Sequence, residues 1–142
     1  MPQPHEFAAL AEAAFNARDE AGLRALWTDD FHFVGPDNET RGIEAMIARE
    51  HALWNAFPDA RASVRFVAAG DGIAVLQTTM TGTHTGPLDL GGGALPASGR
   101  TLEVAFSVHL HLRGDKACGE RVFYDRLGFL RQLGLMPDAA AA

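Results

Sequence analysis

Apolar residues recur along the first sixty positions at helical spacing. Between His5 and Arg18, Phe7, Leu10, Ala11, Ala14 and Phe15 form one stripe on a helix-favouring background, which predicts a first helix. Asp19 is placed to cap a second, short helix whose Leu23, Leu26 and Trp27 share a face before Asp29 and Asp30 interrupt it. Phe31 to Gly35 reads as a short strand, and Pro36 to Arg41 as a polar loop. Ile43, Met46, Ile47, Leu53, Trp54 and Phe57 then predict a third helix, stopped by Pro58.

After Pro58 the period changes to two. Ala62, Val64 and Phe66 alternate with Arg61, Ser63 and Arg65 until Asp71-Gly72 turns the chain into a Thr- and Val-rich strand from Ile73 to about His84. The Gly-rich stretch from Pro87 to Gly99 predicts a long loop. Thr101 to Leu112 and Lys116 to Tyr124 predict a second hairpin around Arg113-Gly114-Asp115. Arg126 to Leu133 closes the pattern as a short helix ended by Gly134. Three helices, a run of antiparallel strands and a final helix make an α+β layout.

Composition narrows the functional classes. With 142 residues, 47% hydrophobic and 21% charged, the chain suits one globular domain, expected over residues 1–136 with 137–142 as a disordered tail. A formal charge of -6 argues against nucleic acid and anionic membrane surfaces as partners. Cys118 is the sole cysteine, no apolar run reaches the ~20 residues of a membrane span, and the first six residues lack secretory features, so the expectation is a cytoplasmic protein.

Three segments carry a family resemblance: Phe57-Pro58-Asp59 before the first hairpin; Gly82-Thr83-His84-Thr85-Gly86 followed by Leu95 to Arg100; and Glu120 to Leu135, reading ERVFYDRLGFLRQLGL. In this order they resemble the SnoaL-like polyketide cyclases of the NTF2-like superfamily. The resemblance implies an NTF2-like (cystatin-like) α+β cone, with three N-terminal helices on a curved antiparallel sheet and a short C-terminal helix. It also implies a pocket for a small apolar organic ligand, a homodimer through the outer sheet face, and acid/base chemistry with no cofactor and no metal. In that family an aspartate at the end of the last long strand shuttles a proton during aldol ring closure, and Asp125 occupies that position. Arg121-Val122 stands where the family often has His-Trp, which leaves the substrate open.

Strand alternation sends Ala117, Gly119, Arg121, Phe123 and Asp125 to one face and Cys118, Glu120, Val122 and Tyr124 to the other. If the first face meets the pocket, a dehydrated Asp125 becomes a general acid/base; otherwise it caps the final helix. His84 is the second catalytic candidate, as a proton relay, against the alternative of a hydrogen bond to its own loop. Arg121 is expected to bind an anionic or enolate oxygen, or else to neutralise a carboxylate. Trp27, Phe33, Trp54, Phe57 and Phe123 are expected around the substrate, though aromatics at such spacings also make ordinary core. His109 and His111 are expected on the outer face. The steroid-isomerase pattern would need its acid and base groups at Gly35, Ala11 and Val108, which have none. The functional expectation is therefore a cyclase- or isomerase-type enzyme of the lyase/isomerase class, acting on a small carbonyl compound. A non-catalytic ligand-binding domain, or dehydratase or epoxide hydrolase chemistry, are the alternatives.

Overall fold

The computed structural model describes residues 3–36, 38–89 and 93–135. Helix α1 (Glu6–Asn16) and helix α2 (Glu20–Leu26) lead into strand β1 (Trp27–Val34), and the short β2 (Glu39–Arg41) precedes α3 (Ile43–Ala56). Strands β3 (Arg61–Gly70), β4 (Ile73–Thr83), β5 (Thr101–Arg113) and β6 (Lys116–Tyr124) follow, then α4 (Arg126–Gln132). The strands form one sheet in the order β2-β1-β6-β5-β4-β3. The expected tail lies outside the described residues.

Two Asp-x-x-Gly segments start short helices in the same way. Asp19 accepts the Gly22 N–H at 2.9 Å and Asp125 accepts the Gly128 N–H at 2.8 Å, each carboxylate satisfying one donor that the first turn leaves free. A Cβ on Gly22 would lie 2.5 Å from Asp19 Oδ2, so the glycine gives the cap its room. The Asp71-Gly72 turn has φ of 54° and 76°, the pair of positive values that a tight hairpin needs.

Three expectations change. The sheet is not wholly antiparallel: β1 and β6 pair in parallel, with Phe33 opposite Glu120 and Val34 opposite Arg121. Alternation along a strand marks its faces but not its neighbours, so this pairing left no local trace. Trp27 does not continue the face of α2; its φ of -116° and ψ of 148° open β1. Glu39 to Arg41, expected as loop, adds an edge strand to β1.

Helices α1, α2 and α3 pack against the sheet over a core that includes Phe7, Leu23, Trp27, Phe31, Phe33, Met46, Ile47, Leu76, Leu110 and Val122. A second cluster, with Phe57, Ala60, Met80, Leu102, Phe129 and Leu133, packs α4 and the end of α3 on the sheet. Gly119 allows β1 and β6 to approach closely, since a Cβ there would sit 2.6 Å from the His32 carbonyl oxygen.

Candidate active site

A cavity of about 150 Å³ is lined by residues from α1, α2, α3 and the sheet strands that these helices cover. Most of its wall is hydrocarbon, with Phe15, Trp27, Phe33, Met80, Phe106 and Val122 prominent. Arg49 and Glu50 of α3, Thr78 of β4 and Glu120 of β6 supply its hydrogen-bonding and charged groups.

Helical spacing brings Glu50 here. Ile43, Met46, Ile47 and Trp54 are buried along α3, and Glu50 stands on the same stripe, three residues after Ile47 and four before Trp54. Only 8% of Glu50 is exposed. Strand parity brings Glu120, which opposes Leu110 on β5 and Phe33 on β1 and lies two residues before buried Val122. Glu120 keeps part of its surface accessible and is one of the cavity-lining residues.

Burial raises both carboxyls to about 7. The charge of Glu50 raises Glu120 further, while Arg49 draws both down and His51 draws Glu50 down. Loss of hydration is thus the dominant effect, because Arg49 offsets it only in part. The Arg49 guanidinium lies over the Phe33 ring at 4.2 Å from its centroid, a cation–π contact that keeps the charge at the cavity wall.

The helix bearing these groups is tied to its neighbour. His51 Nε2 lies 2.7 Å from Glu20 Oε1 of α2, and the His51 ring meets Trp54 edge-on at 5.2 Å. Arg24 of α2 bonds Glu44 of α3 through two nitrogens, at 2.7 and 2.9 Å. A bidentate pair of this kind fixes orientation more than it adds stability at an exposed surface.

Two of the expected site residues, Trp27 and Phe33, line the cavity. The others lie elsewhere. Asp125 is exposed and caps α4, so the capping alternative describes its position. Arg121 and Phe123 face outward with it; Phe123 is 48% exposed and packs against His109, the tilted rings 5.2 Å apart. The pocket-facing side of β6 is therefore the face of Glu120 and Val122, in register with Leu110 and Val108. A register shift opposite Leu112 leaves Cys118 without a ladder partner, which breaks the alternation assumed through Ala117 and Gly119.

His84 is fully buried against Phe57 of the second cluster, not in the cavity wall. Its Nδ1 accepts the Ser98 N–H at 3.2 Å and lies 3.0 Å from Ser98 Oγ, an arrangement that assigns the proton of the neutral ring to Nε2. Burial lowers its pKa, with the Gly86 backbone opposing in part. Phe57 stacks on His84 at 5.2 Å, and Trp54 packs against Phe15 and His51; neither ring lines the cavity. His84, Phe57 and Ser98 together fasten the loop after β4. His109 lies on the outer face as expected, and among the described residues no group of three or more His, Cys, Asp or Glu side chains is placed to hold a metal ion. No described helix is long and apolar enough to cross a membrane.

The sequence model of the SnoaL-like polyketide cyclases matches residues 5–133. The chain belongs to that family. None of the curated proteins matches it. Among solved structures, this SnoaL-like chain is similar to TsrD from Streptomyces laurentii, at 27% identity and a TM-score of 0.79 over 92% of this chain and 94% of that one. It is similar to IdmH from Streptomyces antibioticus, a proposed polyketide cyclase, at 25% identity and a TM-score of 0.74 over 94% and 99%. AclR from Streptomyces galilaeus, a proposed hydroxylase, shares the fold at 24% identity and a TM-score of 0.77 over 95% and 87%. Proteins of one fold thus carry different proposed reactions, and the reaction has to be argued from the site.

Proposed function

We propose that this SnoaL-like protein is an enzyme of cyclase or isomerase type in which Glu50 and Glu120 together perform acid/base chemistry on an enolisable carbonyl compound. The observation that carries this reading is the placement of both carboxyls in one apolar cavity, each raised to about 7. Groups poised near neutrality are the efficient proton donors and acceptors at physiological pH. Both carboxyls titrate near neutrality and the charge of Glu50 disfavours that of Glu120, so near pH 7 the pair holds about one proton, and a donor and an acceptor are present together.

In the proposed step the ionised carboxylate takes the proton from the carbon next to the substrate carbonyl, while the protonated carboxyl gives its proton to the carbonyl oxygen. The product is an enol. Attack of that enol carbon on a second carbonyl of the same molecule forms the ring carbon–carbon bond of an aldol closure, the enol O–H proton passing to the carboxylate while the protonated carboxyl gives its proton to the new alkoxide. Return of the proton to a different carbon gives an isomerisation instead. Arg49 stabilises negative charge as it develops on oxygen, and its stacking on Phe33 limits the reorganisation that this requires.

The test uses cyclohexanone in deuterium oxide, with exchange of its α-protons followed by NMR. Exchange above the protein-free rate, falling by about 10²-fold or more in Glu50→Gln and Glu120→Gln, is expected. No catalysed exchange, or exchange unchanged in the double variant, removes the acid/base reading and leaves a ligand-binding domain. The outer face, where Phe123 is exposed beside His109, supports the further proposal of a homodimer through that surface. Sedimentation of Phe123→Asp tests it: the variant should be monomeric at concentrations where the parent is dimeric.

A further inference from the structure

We infer that the ligand of this cavity is a neutral single-ring compound bearing a carbonyl or enol oxygen. The charge of the ligand and the role of the two carboxyls in this assignment rest on the acid/base reading; the size of the ligand rests on the cavity itself.

The free volume is about 150 Å³. A cavity of roughly this size in an apolar protein interior holds one benzene ring. The side chains that bound it come from separate elements: Phe15 from α1, Trp27 and Phe33 from β1, Met80 from β4, Phe106 from β5. Several of them are locked into the core by their own packing: Trp27 against Phe31 at 5.0 Å, Phe15 against Trp54 at 5.7 Å, and Phe106 against Tyr124 at 4.9 Å. The free volume matches one ring, and widening the inner wall for a second would disturb these packed pairs, which close-packed walls resist.

Charge selects further. The groups that act on the carboxyl pair are Arg49 and His51, both on α3, and the two carboxyls act on each other. With one proton on the pair near pH 7, it carries one negative charge opposed by the Arg49 cation, so the wall is close to neutral. A ligand carboxylate would bring a second anion against the ionised glutamate in a poorly hydrated space, and a ligand ammonium would meet the guanidinium. A neutral carbonyl instead accepts from the protonated carboxyl and leaves the carboxylate free to act as base. With one proton on the pair, a neutral ligand is the one that adds no uncompensated charge to this wall.

Calorimetric titration of the whole chain at pH 7 with phenol, 2-naphthol, benzoate and benzylammonium tests the assignment. Phenol should bind, 2-naphthol at least about tenfold more weakly because the pocket is too small for it, and both charged probes at least about tenfold more weakly because they are left uncompensated. Met80→Ala should enlarge the wall and raise the affinity for 2-naphthol relative to phenol by about tenfold; if that variant does not fold, Val108→Ala does the same from β5. The assignment is overturned if phenol does not bind, if 2-naphthol binds as tightly as phenol, or if either ion binds best. Phenol binding without cyclohexanone exchange would sink the acid/base reading alone. Glutamate-dependent exchange with tight 2-naphthol binding would sink the ligand class alone.

Discussion

Glu50 of α3 and Glu120 of β6 line one cavity, and the negative charge of Glu50 adds to burial in holding the Glu120 carboxyl up at about 7. Two segments far apart in the chain thus set the protonation of one site. The pairing has energetic consequences that can be measured without a substrate.

A carboxyl held protonated in the fold ionises more readily once the chain unfolds. Between pH of about 4.5 and about 7 the unfolded state therefore binds fewer protons than the native state, and stability falls as pH rises through that window. Glu50→Gln and Glu120→Gln remove the ionisation, so each should be more stable than the parent at pH 8, by about 1–3 kcal/mol in urea unfolding, with the gain shrinking toward pH 4.5. The double variant should gain less than the sum of the two, since either change already ends the mutual repulsion.

Arg49 lowers both carboxyls. Arg49→Met should therefore raise both titrations, seen as an upward shift of the glutamate side-chain carbon resonances against pH. Arg49→Lys should restore part of the charge effect while weakening the contact with the Phe33 face. Equal titrations in the parent and in Arg49→Met would remove Arg49 from the electrostatics of the site.

Asp125 serves α4 and not the cavity. Asp125→Ala should cost about 1 kcal/mol of stability through loss of the Gly128 cap, whereas Asp125→Asn, which can still accept that N–H, should cost much less. Neither should alter cyclohexanone exchange once the comparison is made on folded protein. A large loss of exchange in both would return Asp125 to the site.

His84 holds the loop after β4 through Ser98 and its stacking on Phe57. His84→Ala leaves the half-buried Ser98 N–H without its partner and empties a fully buried site, and a loss of about 1–3 kcal/mol in thermal or urea unfolding is expected. Phenol affinity should change little, because the cavity wall does not include His84.

Most elements were legible because their signals are local. The helical stripe from Ile43 to Phe57, the alternation from Thr101 to Leu112 and the turn at Asp71-Gly72 each depend on neighbours within a few residues. Asp19 was readable as a cap for the same reason. The site was less legible, although its signal was present. Glu50 interrupts the apolar stripe of α3 at a position where a carboxyl must be buried, and Glu120 shares parity with Val122 and Tyr124, whereas Phe123 puts an apolar residue on the other face as well. Apolar residues on both faces of β6, Val122 on one and Phe123 on the other, leave the pocket side of Asp125 undecided until the sheet is assembled. The register shift at Cys118 and the parallel neighbour of β1 are long-range features, and no short window of sequence holds them.

The parallel seam between β1 and β6 also fixes when the site can exist. During synthesis the helices and the strands up to β5 emerge first, but β1 and β2 have no edge to join until β6 slides in between β1 and β5. Such late, distant pairing slows folding. A ribosome stalled before Lys116 would release a chain lacking one of the two acids, with raw edges on β1 and β5 open to aggregation, so chemistry at this site waits for nearly the last segment made.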